Sequence, residues 1–165
     1  MIPLTDPIWN SLSWHDVSGS EFAAILATYY GGEIPPYGDE LLEDLAQCSC
    51  GGDLYSSAVV AAEHLVKLTT DAELDAAAAM LGVVAHAVSD ASTIPLPDDP
   101  RILSSLRNAQ TRALAIVDRV HSGARNDHPE RPYFEATRIG LTGDSERFWN
   151  EIENVTRSLY PDRDD

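Results

Sequence analysis

Residues 56–88 read SSAVVAAEHLVKLTTDAELDAAAAMLGVVAHAV, and this stretch decides the fold class. Apolar residues recur in it at three- and four-residue spacing, as they do on the buried face of a helix. Alanine loses the least free energy on entering a helix, and the chain contains 20 alanines. The pattern predicts two successive helices, Ser56–Leu68 and Asp71–Val88, with Asp71 as the cap of the second, in an all-α protein.

The same spacing predicts further helices on both sides of this pair. They are expected at Ser20–Tyr30, Asp39–Gln47, Pro100–His121, Tyr133–Ile139 and Ser145–Leu159. Gly31 would end the first in a left-handed turn, and Leu103 would lie in the core.

The expected architecture is a stack of short antiparallel helix pairs in a small HEAT-like solenoid, since each pair has an apolar stripe too wide to bury alone. A closed helical bundle is the alternative. We expect a single domain over residues 1–165, with an irregular segment at 1–17 and a frayed tail at 161–165.

Composition excludes several functions. The 165 residues carry a net charge of −16, which disfavours nucleic acid and anionic lipid as direct partners. No apolar run approaches the length of a membrane span, and the first residues lack the features of a secretory signal, so we expect a cytoplasmic protein. Cys48 and Cys50 are too few for a disulfide framework.

The acidic charge is concentrated towards the start of the chain. Residues 1–70 hold ten acidic side chains and one basic side chain, Lys67. The expected helix Asp39–Gln47 would have a leucine face and an acidic face, and like charges four residues apart on it repel each other. A basic partner would relieve that repulsion, although a solvated acidic face is equally compatible with the pattern. The expected partner-binding residues are Tyr37, on a loop stiffened by prolines, and the acids Asp39, Glu40, Glu43, Asp44 and Asp53.

The segment Leu41–Val66 contains a leucine-rich stretch, a glycine turn and then Tyr55-x-Ser57-x-x-x-Ala61-x-x-x-Leu65-Val66. It resembles a pattern in bacterial HEAT-like helical repeat proteins, over about a sixth of the chain. Cys50-Gly51-Gly52 stands where family members commonly carry His-Gln-Gly. Such proteins are often cognate immunity proteins of polymorphic toxin systems, so the resemblance implies partner binding and no catalysis.

Two other groupings suggest metal chemistry. Cys48, Cys50 and His64 have the donor types of a zinc site, but the spacing is weak and small buried side chains are the commoner explanation. His121, His128, Asp118 and Asp127 could form a metal cluster or an acid–base pair, although no known catalytic motif accompanies them. We expect no cofactor, no metal site and no catalytic residue.

The function expected from the sequence is that of an immunity protein, which neutralises a cognate toxin with a basic surface by stoichiometric, non-covalent binding. A general helical adaptor is the first alternative, and a metal-dependent helical hydrolase is the second. A mimic of DNA that occupies a nuclease channel is a variant of the favoured function.

Overall fold

A computed structural model describes residues 1–14, 17–32, 34, 49–50, 53–123 and 131–159. These residues form an all-α protein, as predicted. Six α-helices lie within them: α1 Gly19–Tyr30, α2 Ser56–Leu68, α3 Leu74–Asp90, α4 Pro100–Gly123, α5 Arg131–Leu141 and α6 Ser145–Leu159. Short 3-10 turns occupy Pro7–Ser11 and Ala91–Thr93.

Two antiparallel ladders of two-residue strands flank the first helices. Strand β1 (Ser13–Trp14) pairs with β2 (Val17–Ser18) just before α1, and β3 (Ser49–Cys50) pairs with β4 (Asp53–Leu54) just before α2. Each ladder reverses the chain directly before a helix, and neither adds a sheet to the core.

Helix α2 is the centre of the fold. Every residue from Ser56 to Val66 is buried, as is Leu68, while Lys67 is exposed. Helices α1, α3 and α4 all pack on it. Its small and β-branched side chains allow neighbours to approach from every direction, and a helix that is apolar all round is stable only when it is enclosed in this way.

Helices α2 to α5 form two antiparallel pairs. Helices α2 and α3 are joined by a five-residue connection, residues 69–73, and pack on each other. Helices α4 and α5 are antiparallel, because Asp118 pairs with Arg138 while Gln110, earlier in α4, donates to the carbonyl of Leu141 at the end of α5. Helix α2 also packs on α4, and α3 packs on α5.

A glycine permits the close approach of α3, α5 and α6. A Cβ atom at Gly140 would lie 2.9 Å from the Cβ of Ala85 and 2.7 Å from Cδ2 of Phe148. Both distances are shorter than van der Waals contact, so any side chain at residue 140 would push the three helices apart.

The segment before α1 closes one side of the core. Trp9 is 1% exposed, and its indole N–H donates to the carbonyl of Pro3 at 2.9 Å. Asp6 caps the 3-10 turn by accepting from the N–H of Ile8. Arg101 of α4 holds this segment in place through an ion pair with Asp6, and it also forms an ion pair with Asp99.

Some helix boundaries were predicted correctly and others were wrong. Helices α2 and α6 begin and end where the sequence pattern places them. The start of α3 was wrong: the helix begins at Leu74 with Glu73 at its cap position, and Asp71 lies in the exposed connection. Gly31 has a right-handed φ of −77°, and it is Gly32 that takes the left-handed conformation, with φ of 93°.

Leu103 was wrongly assigned to the core, since it is 49% exposed. The buried stripe of α4 follows Ile102, Leu106, Ala109, Ala113 and Val117. Leu103 is one position beyond this stripe and therefore points away from the core.

One stretch within the described residues, Leu74–Thr93, is long and apolar enough to cross a membrane by length and composition alone, contrary to the expectation from sequence. Half of it is buried inside the fold. The core helix of a globular protein has the same composition.

Candidate functional site

Five of the six predicted partner-binding residues lie outside the part of the chain that the structure describes. Tyr37, Asp39, Glu40, Glu43 and Asp44 lie outside the described residues, as does the expected helix Asp39–Gln47. The backbone of Asp53 lies in β4, directly before α2.

The predicted partner-binding acids lie in the segment between α1 and α2, which is called the acidic segment. Described residues lie on both sides of it. At its start, α1 ends at Tyr30, whose hydroxyl lies 2.8 Å from Nδ1 of His64 in the second half of α2. At its end, β4 leads into Ser56, the first residue of α2. The hydroxyl of Ser56 accepts a hydrogen bond from the backbone N–H of Ser13. The described chain before the segment therefore contacts the second half of α2, and the chain after it leads into the first residue of α2.

The connection that follows α2 is acidic. The connection between α2 and α3, together with the first turn of α3, carries Asp71, Glu73 and Asp75 within five residues, and all three are exposed. Sequence reasoning overlooked this group because it treated Asp71 as a helix cap. The alternation of acids with Ala72 and Leu74 was the signal that could have revealed it.

A first buried polar group surrounds Glu63 and is called the Glu63 cluster. It comprises Glu63 and His64 of α2, the amino group of Met1, Tyr30 and Ser105. The amino group of Met1 lies 2.5 Å from Oε2 of Glu63, and the hydroxyl of Ser105 donates to the same oxygen. Burial raises the pKa of Glu63, but the hydrogen bonds from the amino group and Ser105 outweigh it, so the pKa lies below its ordinary value.

Both ring nitrogens of His64 have partners. Nε2 lies 2.7 Å from the carbonyl oxygen of Ile2, which can only accept, so Nε2 carries the proton. Nδ1 of the neutral ring then accepts from the hydroxyl of Tyr30. Burial lowers the pKa of His64, and the bond to Ile2 and the charge of Glu63 only partly oppose this. The imidazole is therefore held neutral in one tautomer.

A second buried group, the Asp90 cluster, joins the end of α3 to the start of α6. Asp90 accepts from the hydroxyl of Ser145 at 2.6 Å and from the indole N–H of Trp149 at 3.3 Å. Nε2 of His86 lies 3.0 Å from Oδ2 of Asp90, but it has no aligned hydrogen bond within the described residues. The ring of His86 meets that of Trp149 edge-on, with centroids 4.5 Å apart. Burial lowers the pKa of His86, and Asp90 only partly opposes it.

Neither cluster has the arrangement of a nucleophile and its general base. Ser105 and Ser145 both donate to carboxylates, and no histidine nitrogen accepts from either hydroxyl. The carboxylates bind groups from separate segments of the chain. The geometry suits the positioning of helices.

The residues considered for metal binding are not brought together in the described part of the chain. No group of three potential ligands occurs within it. Cys48, His128 and Asp127 lie outside the described residues, and Cys50 and His121 are placed only by their backbones in β3 and α4. His64 already has partners on both nitrogens, and Asp118 pairs with Arg138 at 3.1 Å.

No protein-family model matches this chain, and no curated protein or solved structure is significantly similar to it.

Proposed function

We propose that the protein is an immunity protein that neutralises a cognate bacterial toxin by stoichiometric, non-covalent binding. One observation carries the proposal: Asp71, Glu73 and Asp75 are all exposed within five residues, in a protein whose net charge is −16. We propose that these exposed acids form a negative surface for the partner, which Asp39, Glu40, Glu43 and Asp44 also bind. Such a surface accelerates association with a basic partner and selects it over neutral ones.

We further propose a HEAT-like stacking of two helix pairs, α2 with α3 and α4 with α5. Two features support it. Helix α2 packs on α4, and α3 packs on α5. The hydroxyl of Ser89, near the end of α3, donates to the carbonyl oxygen of Gly140, near the end of α5, at 3.0 Å. Helices α3 and α5 therefore also run in the same direction. Stacked pairs of this kind display loops and turns along an edge, where a partner can bind.

The test is co-expression with a candidate toxin, followed by pull-down and measurement of the association rate at increasing salt. We expect a one-to-one complex whose association rate falls as salt rises, because screening weakens long-range attraction. A complex with a salt-independent association rate would remove the acidic surface from the proposal.

Charge-reversed variants identify the surface. Glu40→Lys with Glu43→Lys, and separately Asp71→Lys with Glu73→Lys, should each slow association. The matched control is Glu146→Lys with Glu151→Lys on α6, which changes the net charge equally. Equal slowing by all three pairs would show that only net charge matters. A general adaptor would instead be indicated if loss of the gene impaired growth in the absence of any toxin.

A further inference from the structure

The surface beside the Glu63 cluster differs from the rest of this acidic protein. Three large apolar side chains are exposed in the described residues: Met1 (53%), Tyr30 (37%) and Leu103 (49%). Two of them are neighbours, because the hydroxyl of Tyr30 lies 3.8 Å from the sulfur of Met1. Adjacent exposed apolar side chains with a polar rim are typical of protein-binding sites.

Two cations form that rim. Nζ of Lys67 lies 4.9 Å from the centre of the Tyr30 ring. Burial raises the pKa of the Tyr30 phenol, and the guanidinium of Arg112 is close enough to oppose this rise. Lys67 and Arg112 are both exposed.

The positive charge at this surface is not neutralised by described acids. Neither Lys67 nor Arg112 forms an ion pair with an acid in the described ranges. The same holds for Arg107, Arg119 and Arg147, whereas Arg101, Arg131, Arg138 and Arg157 are paired. Glu63 is nearby, but it is 5% exposed and already binds the amino group of Met1 and Ser105. Within the described part of the chain, the charge of the rim therefore has no acidic partner.

The aromatic side chain at the centre is already fixed in position. The hydroxyl of Tyr30 donates to His64, which in turn donates to the carbonyl of Ile2. A side chain that is ordered before binding loses little conformational entropy on binding, which favours affinity. Tyrosine and arginine are also the residue types most often found at energetically important positions in interfaces.

A groove continues from this surface along α4. It has a volume of about 380 Å³ and is lined by Met1, Ser104, Ser105 and Asn108 among others. Arg112 lies one turn beyond Asn108 on the same face of α4. An extended chain of about five residues spans roughly 17 Å, which is also about the rise of α4 from Arg101 to Arg112.

We propose that Met1, Tyr30, Lys67 and Arg112 form a docking surface for an extended, acidic segment of a partner protein. The carboxylates of this segment pair with Lys67 and Arg112, and an apolar side chain of it covers Tyr30 and Met1. This proposal does not depend on the partner being a toxin, since it rests on the opposite charge from that of the acidic surface proposed above.

The test is a nuclear magnetic resonance titration of the full chain with a capped peptide of glutamates interrupted by one leucine, at low ionic strength. We expect saturable shifts of the amide signals in the last turn of α1, around Lys67 and around Arg112. Replacing Lys67→Glu together with Arg112→Glu should weaken binding by about five- to tenfold, which is the effect of losing two exposed ion pairs.

The control variant, Arg147→Glu with Arg157→Glu on α6, changes the net charge by the same amount and should alter the dissociation constant by less than about twofold. Equal weakening in both variants, shifts confined to other surfaces, or the lack of saturable binding would each overturn the proposal. So would dimerisation without peptide that the Lys67→Glu, Arg112→Glu variant abolishes, because the surface would then belong to a second copy of the chain.

Discussion

The Glu63 cluster and the Asp90 cluster hold their buried histidines by different contacts. Each buries a histidine and a carboxylate between helices, and burial lowers the pKa of both histidines. His64 has a hydrogen-bond partner on each nitrogen, whereas Nε2 of His86 lies beside a carboxylate without an aligned bond. Asp90 takes its hydrogen bonds from Ser145 and Trp149 instead. The difference shows that a buried histidine can be a connecting residue in one cluster and mainly a packing residue in the other.

The largest expected difference comes from removing each carboxylate. Glu63→Ala should lower the free energy of unfolding by about 3 kcal/mol, because it leaves the amino group of Met1 and the buried hydroxyl of Ser105 without a partner. Asp90→Ala should cost only about 1–2 kcal/mol, because Ser145 and Trp149 are half-buried and can turn to water. Urea unfolding of both variants measures this, and equal losses would contradict the distinction.

Replacing each histidine with a ring of similar size isolates its hydrogen bonds. His64→Phe should lower the free energy of unfolding by about 2 kcal/mol, since the carbonyl of Ile2 loses its donor in a buried site. His86→Phe should cost less than about 1 kcal/mol, because an apolar ring keeps the contact with Trp149 and no aligned bond is lost. A greater loss in His86→Phe would mean that its contact with Asp90 stabilises the fold after all.

The stability of the protein should fall as the pH drops below about 6.5, the ordinary pKa of histidine. In the window between that value and the lowered pKa of each buried histidine, the unfolded chain binds more protons than the folded chain. Each histidine then contributes at most about 1.4 kcal/mol of loss per pH unit. A second loss should follow below about 4.3, where the carboxylate of unfolded Glu63 takes up its proton first.

Thermal unfolding measured between pH 7 and pH 3 covers both phases. The variants His64→Phe and His86→Phe should each flatten the first phase and leave the second unchanged. A stability that stays constant between pH 7 and pH 5 in the unmodified chain would contradict the neutral state assigned to both rings.

The smallest effect is expected at exposed ion pairs, which serve as the reference for the two clusters. Arg157→Ala removes the pair with Glu153 and should change the free energy of unfolding by no more than about 0.5 kcal/mol. The same urea measurements test this, and a loss comparable to that of Glu63→Ala would show that burial does not distinguish these sites.

Local pattern predicted much of the fold. Helices α2 and α6 have the predicted boundaries, because apolar residues recur at helical spacing throughout both. The error at Leu103 arose because Ile102 and Leu103 are neighbouring apolar positions, and only the folded structure shows that Ile102 is the buried one.

The polar clusters could not be predicted in the same way. Glu63 meets Ser105 across 42 residues of chain, and His64 meets the carbonyl of Ile2 across 62. Nothing in the local pattern relates such distant positions. His64 is buried, but its partners are Tyr30 and Ile2, which lie far from it in the sequence. The predicted acidic surface remains a prediction, since Tyr37 and its neighbours lie outside the described residues.

Lys67 is the only lysine in the sequence, and it is the exposed position in an otherwise enclosed helix. An amine-reactive fluorophore can therefore be attached at one known side chain of the chain, at a pH where that amine competes well with the engaged amino group of Met1. The label would lie beside the Tyr30 ring and report on any molecule that covers it, without a cysteine having to be introduced.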